Sequence, residues 1–275
     1  MKNQMEKAVI TLTKIHPLSL SLTLDCGQSF RWSEAPDGRW HAVVKNKSVF
    51  AEIQGDSLLI YGDDDEAFWR EYFDLDRDYR AVCETLSKDK WLKKAITAYP
   101  GIRILKQDPW ETLCSFIISQ NNNIPRIKGI ISRLCALLGE DLGDGDFTFP
   151  SAEIISTKTV EDLAELRAGF RAKYIIDAAK KVASGEISIE KIQTASMDEA
   201  RAELQKISGV GPKVAECALL YGFGRVEAFP VDVWVRRIMQ ELYPEGLPEE
   251  TQGVEGIAQQ YLFHWRRNVE NPFEV

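Results

Sequence analysis

Lys213 and Asp232 are the side chains in this 275-residue sequence whose setting points most directly to chemistry, an amine and a carboxylate nineteen residues apart beyond a Gly-rich turn. The run KISGVGPKVAECALLYGFGRVEAFPVDVWVRRIM puts Lys213 directly after Gly209, Val210, Gly211 and Pro212, and Asp232 after the extended stretch AFPV. A neutral lysine amine is a nucleophile and forms imines with aldehydes. A carboxylate held by backbone amides stays ionised and stabilises positive charge developing on a reacting carbon. A Gly-rich turn that opens a helix presents amides and the positive end of a dipole to an anion such as a phosphate. Both side chains also have structural readings, since a lysine at a helix start can point into solvent and an aspartate before a helical pattern can cap it.

The elements that must position this pair are legible nearby. Ser196-Met-Asp-Glu199 has the S-x-x-E form of a capping box, and apolar residues follow at helical spacing until Gly209. Gly209 and Gly211 permit backbone conformations that other residues resist, and Pro212 suits the first turn of a second helix over 212–220. Asp232 precedes the helical pattern VWVRRIMQEL as its expected N-cap. The chain thus contains a helix, a glycine hairpin, a helix and a capped third helix.

This arrangement resembles the helix-hairpin-helix and Gly-Pro-Asp region of base-excision DNA glycosylases, and the lysine places it with the bifunctional members. The resemblance implies that Lys213 attacks C1′ of a damaged nucleoside, that Asp232 is the family's aspartate, and that β-elimination of the 3′ phosphate follows the imine. Further segments are similar to 8-oxoguanine DNA glycosylases in particular. Cys26-Gly27-Gln28-Ser29-Phe30-Arg31-Trp32 resembles the GQSFRW segment whose glycine carbonyl accepts the N7 hydrogen found only in the oxidised base, which implies that role for Gly27. Ala258-Gln259-Gln260-Tyr261-Leu262-Phe263 resembles the segment that reads and stacks on the flipped base; Gln259 and Phe263, four apart, share a helical face.

Asp108-Pro109-Trp110 opens a helical pattern that runs to the asparagine triplet of residues 121–123 and is similar to the family's NNNI-x-R segment. There Asn121 would fill the hole left by the extruded base and Arg126 would contact the estranged cytosine. The segment Gly169-Phe170-Arg171-Ala172-Lys173-Tyr174 resembles G-Y-R-A-R-Y, with Phe170 as wedge and Arg171 as a second cytosine contact. Gly209 and Gly211 would bind a DNA phosphate. One departure is Trp234, where eukaryotic members place a histidine that contacts phosphate; here the residue reads as core.

Length and composition agree with an ordered enzyme, since 44% of residues are hydrophobic and 10% aromatic. The net charge of -8 argues against a nonspecific nucleic-acid binder, which leaves basic residues such as Arg167, Arg171, Lys173, Lys180, Lys181, Arg236 and Arg237 to form a local face. Asp63 to Glu66 forms an acidic patch suited to a helix start and expected to face away from DNA. The five cysteines have no metal-ligand spacing, and none lies in the C-terminal segment where endonuclease III relatives carry an iron-sulfur loop, so no cofactor or iron-sulfur cluster is expected. The three histidines are scattered and read as structural. Met1 to Lys14 is mixed in charge, which predicts no signal peptide, and no apolar run suits a membrane span.

Alternation such as Leu20-Ser-Leu-Thr-Leu24, with turns at Pro36-Asp-Gly38 and Gln54-Gly-Asp56, predicts an antiparallel meander over 18–61. Helical patterns begin at 68–73 and continue over 110–120, 125–138, 160–166 and 174–183, with a loop at 139–145. The expected class is α+β, an N-terminal antiparallel β domain (1–105) packed on an all-α helix-hairpin-helix glycosylase domain (106–275), with the lesion bound between them. The resemblance implies a monomeric enzyme acting on duplex DNA that contains 8-oxoguanine, in the cytoplasm on a bacterial nucleoid or in a eukaryotic nucleus. A related glycosylase for another oxidised or alkylated base and a non-catalytic helix-hairpin-helix DNA-binding protein are the alternatives.

Overall fold

Residues Val9 to Tyr61 supply one five-stranded antiparallel sheet in the computed structural model, which describes residues 9–269. Residues 1–8 and 270–275, with the ends of the two expected domains and much of the N-terminal stretch read for a signal peptide, lie outside the described residues. The strands are β1 (Val9–Leu12), β2 (Ser33–Glu34), β3 (Trp40–Val44), β4 (Lys47–Gln54) and β5 (Ser57–Tyr61), ordered β1-β5-β4-β3-β2. Lys45 and Asn46, both at positive φ, make a two-residue turn between β3 and β4. The expected turns at Pro36-Asp-Gly38 and Gln54-Gly-Asp56 are present, with Gly38 and Gly55 at positive φ. The first strand, before Leu18, escaped the sequence pattern.

The stretch Leu20–Leu24, expected as strand, is instead a short helix, α1. Ser19 caps it by accepting from the Leu22 amide, and Leu20 and Leu24, one turn apart, are both buried. Five residues with alternate leucines satisfy either period, and the cap decides in favour of the helix. The sheet packs on a core that includes Trp32, Trp69, Tyr72 and Phe73. The acidic patch serves that packing. Asp65 caps α2 (Glu66–Tyr72), and buried Asp63 accepts from Trp69 Nε1 at 3.1 Å.

The remaining helices are α3 (Tyr79–Leu86), α4 (Lys90–Ala98), α5 (Pro109–Ser119), α6 (Ile124–Leu138), α7 (Ala152–Ser156), α8 (Arg171–Ala183), α9 (Ile189–Thr194), α10 (Met197–Leu204), α11 (Pro212–Tyr221), α12 (Val233–Leu242) and α13 (Glu255–Asn268). They share a second core to which Leu113, Phe116, Ile117, Leu219 and Tyr261 all belong. Helix α5 lies against α11, and α13 against both α4 and α12. The fold is therefore α+β, an antiparallel sheet joined to a helical domain. Two local expectations change: the loop at 139–145 contains the strand β6 (Asp141–Gly143), which pairs with β7 (Asp146–Phe147) just beyond it, and within 160–166 only Ala164–Leu166 is helical, as one 3₁₀ turn.

The capping box at Ser196 forms as expected, with Ser196 accepting from the Glu199 amide and Glu199 accepting from that of Ser196. The two hairpin glycines differ. Gly209 has φ +79, and a Cβ there would overlap the Tyr174 ring of α8, so this position requires glycine. Gly211 sits at φ -91 and ψ -178, ordinary extended backbone with open space where a Cβ would be, contrary to the expectation that both need glycine. Gly209→Ala should therefore destabilise the protein by about 2–4 kcal/mol through backbone strain and overpacking. Gly211→Ala should cost about 1 kcal/mol or less. Urea unfolding of both variants tests the difference, and equal losses would mean that the hairpin does not depend on the Gly209 contact.

Candidate active site

Helix α11 begins at Gly211, which has no side chain to accept from the first-turn amides, so that terminus is left to an outside acceptor. Pro212 starts the helix, and Lys213 follows with a half-buried side chain turned inward. Its Nζ lies 3.4 Å from Ser119 Oγ at the end of α5 and 5.1 Å above the Phe116 ring. Ser119 Oγ itself donates to the Phe116 carbonyl at 2.8 Å, which leaves its lone pairs toward the amine. Among the described residues, no carboxylate lies within ion-pair distance of Lys213. The amine is thus held by a hydroxyl and an aromatic face, with no anion to occupy it.

Cys217, one helical turn after Lys213, completes the amine's surroundings. Burial pushes its thiol up to about 11, and the charge of Lys213 is the largest opposing influence after that, together with a hydrogen bond between the two. The thiol stays protonated at neutral pH and offers the amine a polarisable neighbour without a full charge. Sequence reasoning passed over Cys217, although the i, i+4 spacing from Lys213 was a usable signal. No comparable signal existed for Ser119, which is brought in across 94 residues of sequence.

Asp232 is the N-cap of α12, and one carboxylate oxygen accepts from the amides of Trp234 at 2.9 Å and Val235 at 2.8 Å. The cap fixes the side chain in the lining of the cavity that Lys213 also lines. Its partly exposed position leaves the other oxygen for charge in that cavity. Trp234, expected in the core, is only half-buried and lines the same cavity, with the Arg237 guanidinium 5.3 Å from its ring. The flanking Val231 and Val233 are exposed, Val233 at 67%.

The cavity has a volume of about 830 Å³, ample for a nucleobase and its sugar. Lys213 and Asp232 line it with Gly27 from the segment after α1 and with Phe263 from α13. Phe30 and Phe116 add an apolar wall, their rings edge to face at 5.6 Å. His264 adds a ring that burial holds below the usual imidazole range, and hence neutral at pH 7. Gln259, one turn before Phe263, is 4% exposed, and its Oε1 has no hydrogen-bond partner among the described residues. An unpartnered buried amide oxygen costs about 1–3 kcal/mol until a ligand donor meets it.

The expected opposite-strand residues gather elsewhere, at the turn between α5 and α6. Asn121 is exposed at φ +47, and Phe170 is 46% exposed, an uncovered aromatic beside that turn. Arg126 is exposed, with one long contact of 3.5 Å to the Arg167 carbonyl. Arg171, expected as a second cytosine contact, lies at the same turn. It is 3% exposed, and its guanidinium donates to the carbonyls of Gln120, Asn121 and Ala168 while lying 4.5 Å from the Phe170 ring centre. The last-turn carbonyls of α5 are met by the side chains of Ser119, Gln120 and Asn122, and Arg171 takes those of the C-cap Gln120 and of Asn121 just beyond it.

Residues 9–113 match the family model of the 8-oxoguanine DNA glycosylase N-terminal domain, and residues 114–259 that of the HhH-GPD superfamily base excision DNA repair proteins. The solved structure of MBOgg1 in complex with a low-affinity DNA ligand is 45% identical, covers 95% of this chain and 96% of that one, and superposes with a TM-score of 0.88. The Clostridium acetobutylicum 8-oxoguanine glycosylase/lyase, in complex with double-stranded DNA containing cytosine opposite 8-oxoguanine, is 38% identical over 95% of this chain and 96% of that one, with a TM-score of 0.89. The N-glycosylase/DNA lyase of Saccharomyces cerevisiae is 33% identical over 265 residues, 82% of this chain and 68% of that protein.

Because the Asp232 carboxylate serves as a cap whatever else it does, Asp232→Ala should lower stability by about 0.5–2 kcal/mol, whereas Asp232→Asn keeps the cap and stays close to the parent. Thermal unfolding of the two variants measures this. A stability loss in the Asn variant equal to that of the Ala variant would show that charge, not capping, carries the effect.

Proposed function

The chain belongs to the 8-oxoguanine DNA glycosylases of the HhH-GPD superfamily, and we propose on that basis that it is a bifunctional enzyme, excising 8-oxoguanine from duplex DNA and then incising the abasic strand. The observation that carries the reading is the amine of Lys213, with no carboxylate partner among the described residues, in a cavity shared with Asp232, Gly27 and Phe263. A base inside the duplex stack cannot reach such a cavity, so the nucleotide is extruded into it. Phe263 supplies a stacking face, the Gln259 amide meets the Watson-Crick edge, and the Gly27 carbonyl accepts the N7 hydrogen that guanine lacks.

In its neutral form the Lys213 amine attacks C1′ as the bond from C1′ to N9 breaks, and the base departs with that electron pair and takes up a proton. Positive charge on the sugar develops beside the Asp232 carboxylate, which stabilises it. Loss of the remaining amine proton and ring opening give the imine. Removal of a proton from C2′ then expels the 3′ phosphate, and water hydrolyses the imine to free Lys213. The covalent chemistry is the lysine's own and calls for no cofactor. Partner-strand contacts come from Asn121 and Phe170 filling the gap and from Arg126, whose donors suit the N3 and O2 acceptors of an unpaired cytosine. We read the enzyme as a monomer that works wherever its DNA is held, the nucleoid in a bacterium or the nucleus in a eukaryote.

Borohydride should trap a covalent complex between the protein and an 8-oxoguanine duplex, and Lys213→Gln should lose both trapping and incision while still binding the lesion. Undiminished trapping by that variant would remove Lys213 from the chemistry. Asp232→Asn should excise about a hundredfold more slowly or worse in single turnovers; a rate near the parent's would leave Asp232 as a cap alone.

Opposite cytosine, 8-oxoguanine should be excised faster than opposite adenine by a factor corresponding to ~1–3 kcal/mol, the worth of one good polar base contact. Arg126→Ala should shrink that preference. Equal rates on the two duplexes, unaltered by the substitution, would reduce Arg126 to a backbone contact.

A further inference from the structure

We propose that Gln260 is a positioning residue that fixes the Cys26 to Gly27 backbone and thereby sets discrimination between 8-oxoguanine and guanine; the discrimination half of this rests on the base-pocket reading above. Gln260 follows the unpartnered Gln259 on α13 but points the other way, into the protein, where it is 1% exposed. Its Oε1 accepts from the Tyr221 hydroxyl at 2.5 Å, and its Nε2 donates to the Cys26 carbonyl at 3.4 Å across 234 residues of sequence.

Both ends of that bridge belong to the site. Tyr221 closes α11, two turns after Lys213, and stacks on Phe116 with ring centres 5.3 Å apart and planes at 18°. Phe116 is the ring beneath the Lys213 amine. At the other end, the Cys26 carbonyl belongs to the peptide that leads into Gly27, whose φ is +92. On its downstream side Gly27 is followed by Gln28, which is tied by its own side chain to Thr23, Arg103 and Leu105. Gly27 is thus held downstream by Gln28 and upstream at Cys26, whose thiol bonds Thr23 and Gln28 at 3.3 Å and whose carbonyl is held by Gln260, itself bonded to Tyr221 of the nucleophile's helix.

The consequence is chemical. A carbonyl aimed at N7 attracts the N-H of 8-oxoguanine and repels the lone pair of guanine, so discrimination depends on its direction. Hydrogen bonds weaken steeply with misalignment. A glycine released on one side gains backbone freedom that other residues lack, and the acceptor loses its aim.

Gln260→Met keeps the volume and removes both hydrogen bonds, while Tyr221→Phe keeps the ring stack and removes the donor to Gln260. For Gln260→Met, single-turnover excision of 8-oxoguanine should fall roughly tenfold relative to incision of a preformed abasic site, which bypasses the base pocket, as expected for the loss of about one net hydrogen bond. Tyr221→Phe should move the ratio in the same direction by a smaller factor, and serves alone if the methionine variant fails to fold. Amide exchange over residues 23–30 should accelerate in either variant, a readout that needs no lesion. If excision and abasic incision fall in step, or the ratio and the exchange both stay at the parent's values, Gln260 is a packing residue and the proposal is wrong. A parent enzyme that leaves 8-oxoguanine untouched overturns the base-pocket reading instead, and exchange still decides whether Gln260 positions the turn.

Discussion

One buried carboxamide, that of Gln28, holds the two halves of the molecule in register. Its Nε2 donates to the carbonyls of Thr23 and Arg103 and its Oε1 accepts from the Leu105 amide, each at 2.8 Å, while Gln107 donates to its backbone carbonyl at 2.8 Å. A carboxamide 99% removed from water must find such partners, because each unsatisfied group costs about 1–3 kcal/mol. The requirement locks the chain that leaves α1 alongside the segment that leads into α5. Gly27 and Phe30, on either side of Gln28, are thereby set at a fixed distance from the far end of α5, where Phe116 and Ser119 meet the amine of Lys213. The β domain reaches the reaction through this seam.

The electrostatics of the chain follow from where its acids are used. Asp65, Asp78, Asp89 and Asp108 cap α2, α3, α4 and α5 in turn, each accepting from amides of the first turn. Negative charge at a helix N-terminus is matched to the dipole there, and it is spent on structure. Arg167, Lys173, Lys180, Arg236 and Arg237 remain exposed on or beside α8 and α12, the helices next to the hairpin and the cavity. A net charge of -8 is therefore compatible with a site that meets a polyanion.

Asp232 belongs to the same economy of caps and differs in one respect. Its helix starts at a cavity wall, so the carboxylate that satisfies two amides also faces the space occupied by Lys213. Among the described residues the amine has no counter-ion and lies beside a ring, a hydroxyl and a protonated thiol. An aspartate close enough to pair with the lysine would have stabilised the ammonium; this one is held by its own amides instead.

The sequence by itself determined the helices that carry the chemistry, because caps, glycines and apolar spacing act within a few residues. The Ser196 capping box, the α11 start at Pro212 and the Asp232 cap all formed as read, and the contiguous motifs indicated the family. Where two local patterns competed, sequence was insufficient: Leu20–Leu24 satisfied both periods, and 139–145 hid a hairpin among turn residues. Only the tertiary structure decided the assembly of the site. Ser119 reaches Lys213 across 94 residues and Gln260 reaches Cys26 across 234, and Arg171 is buried on the carbonyls of Gln120 and Asn121, about fifty residues away in sequence. Such contacts are fixed by which buried polar groups must find one another once the cores have packed, and no spacing along the chain encodes that.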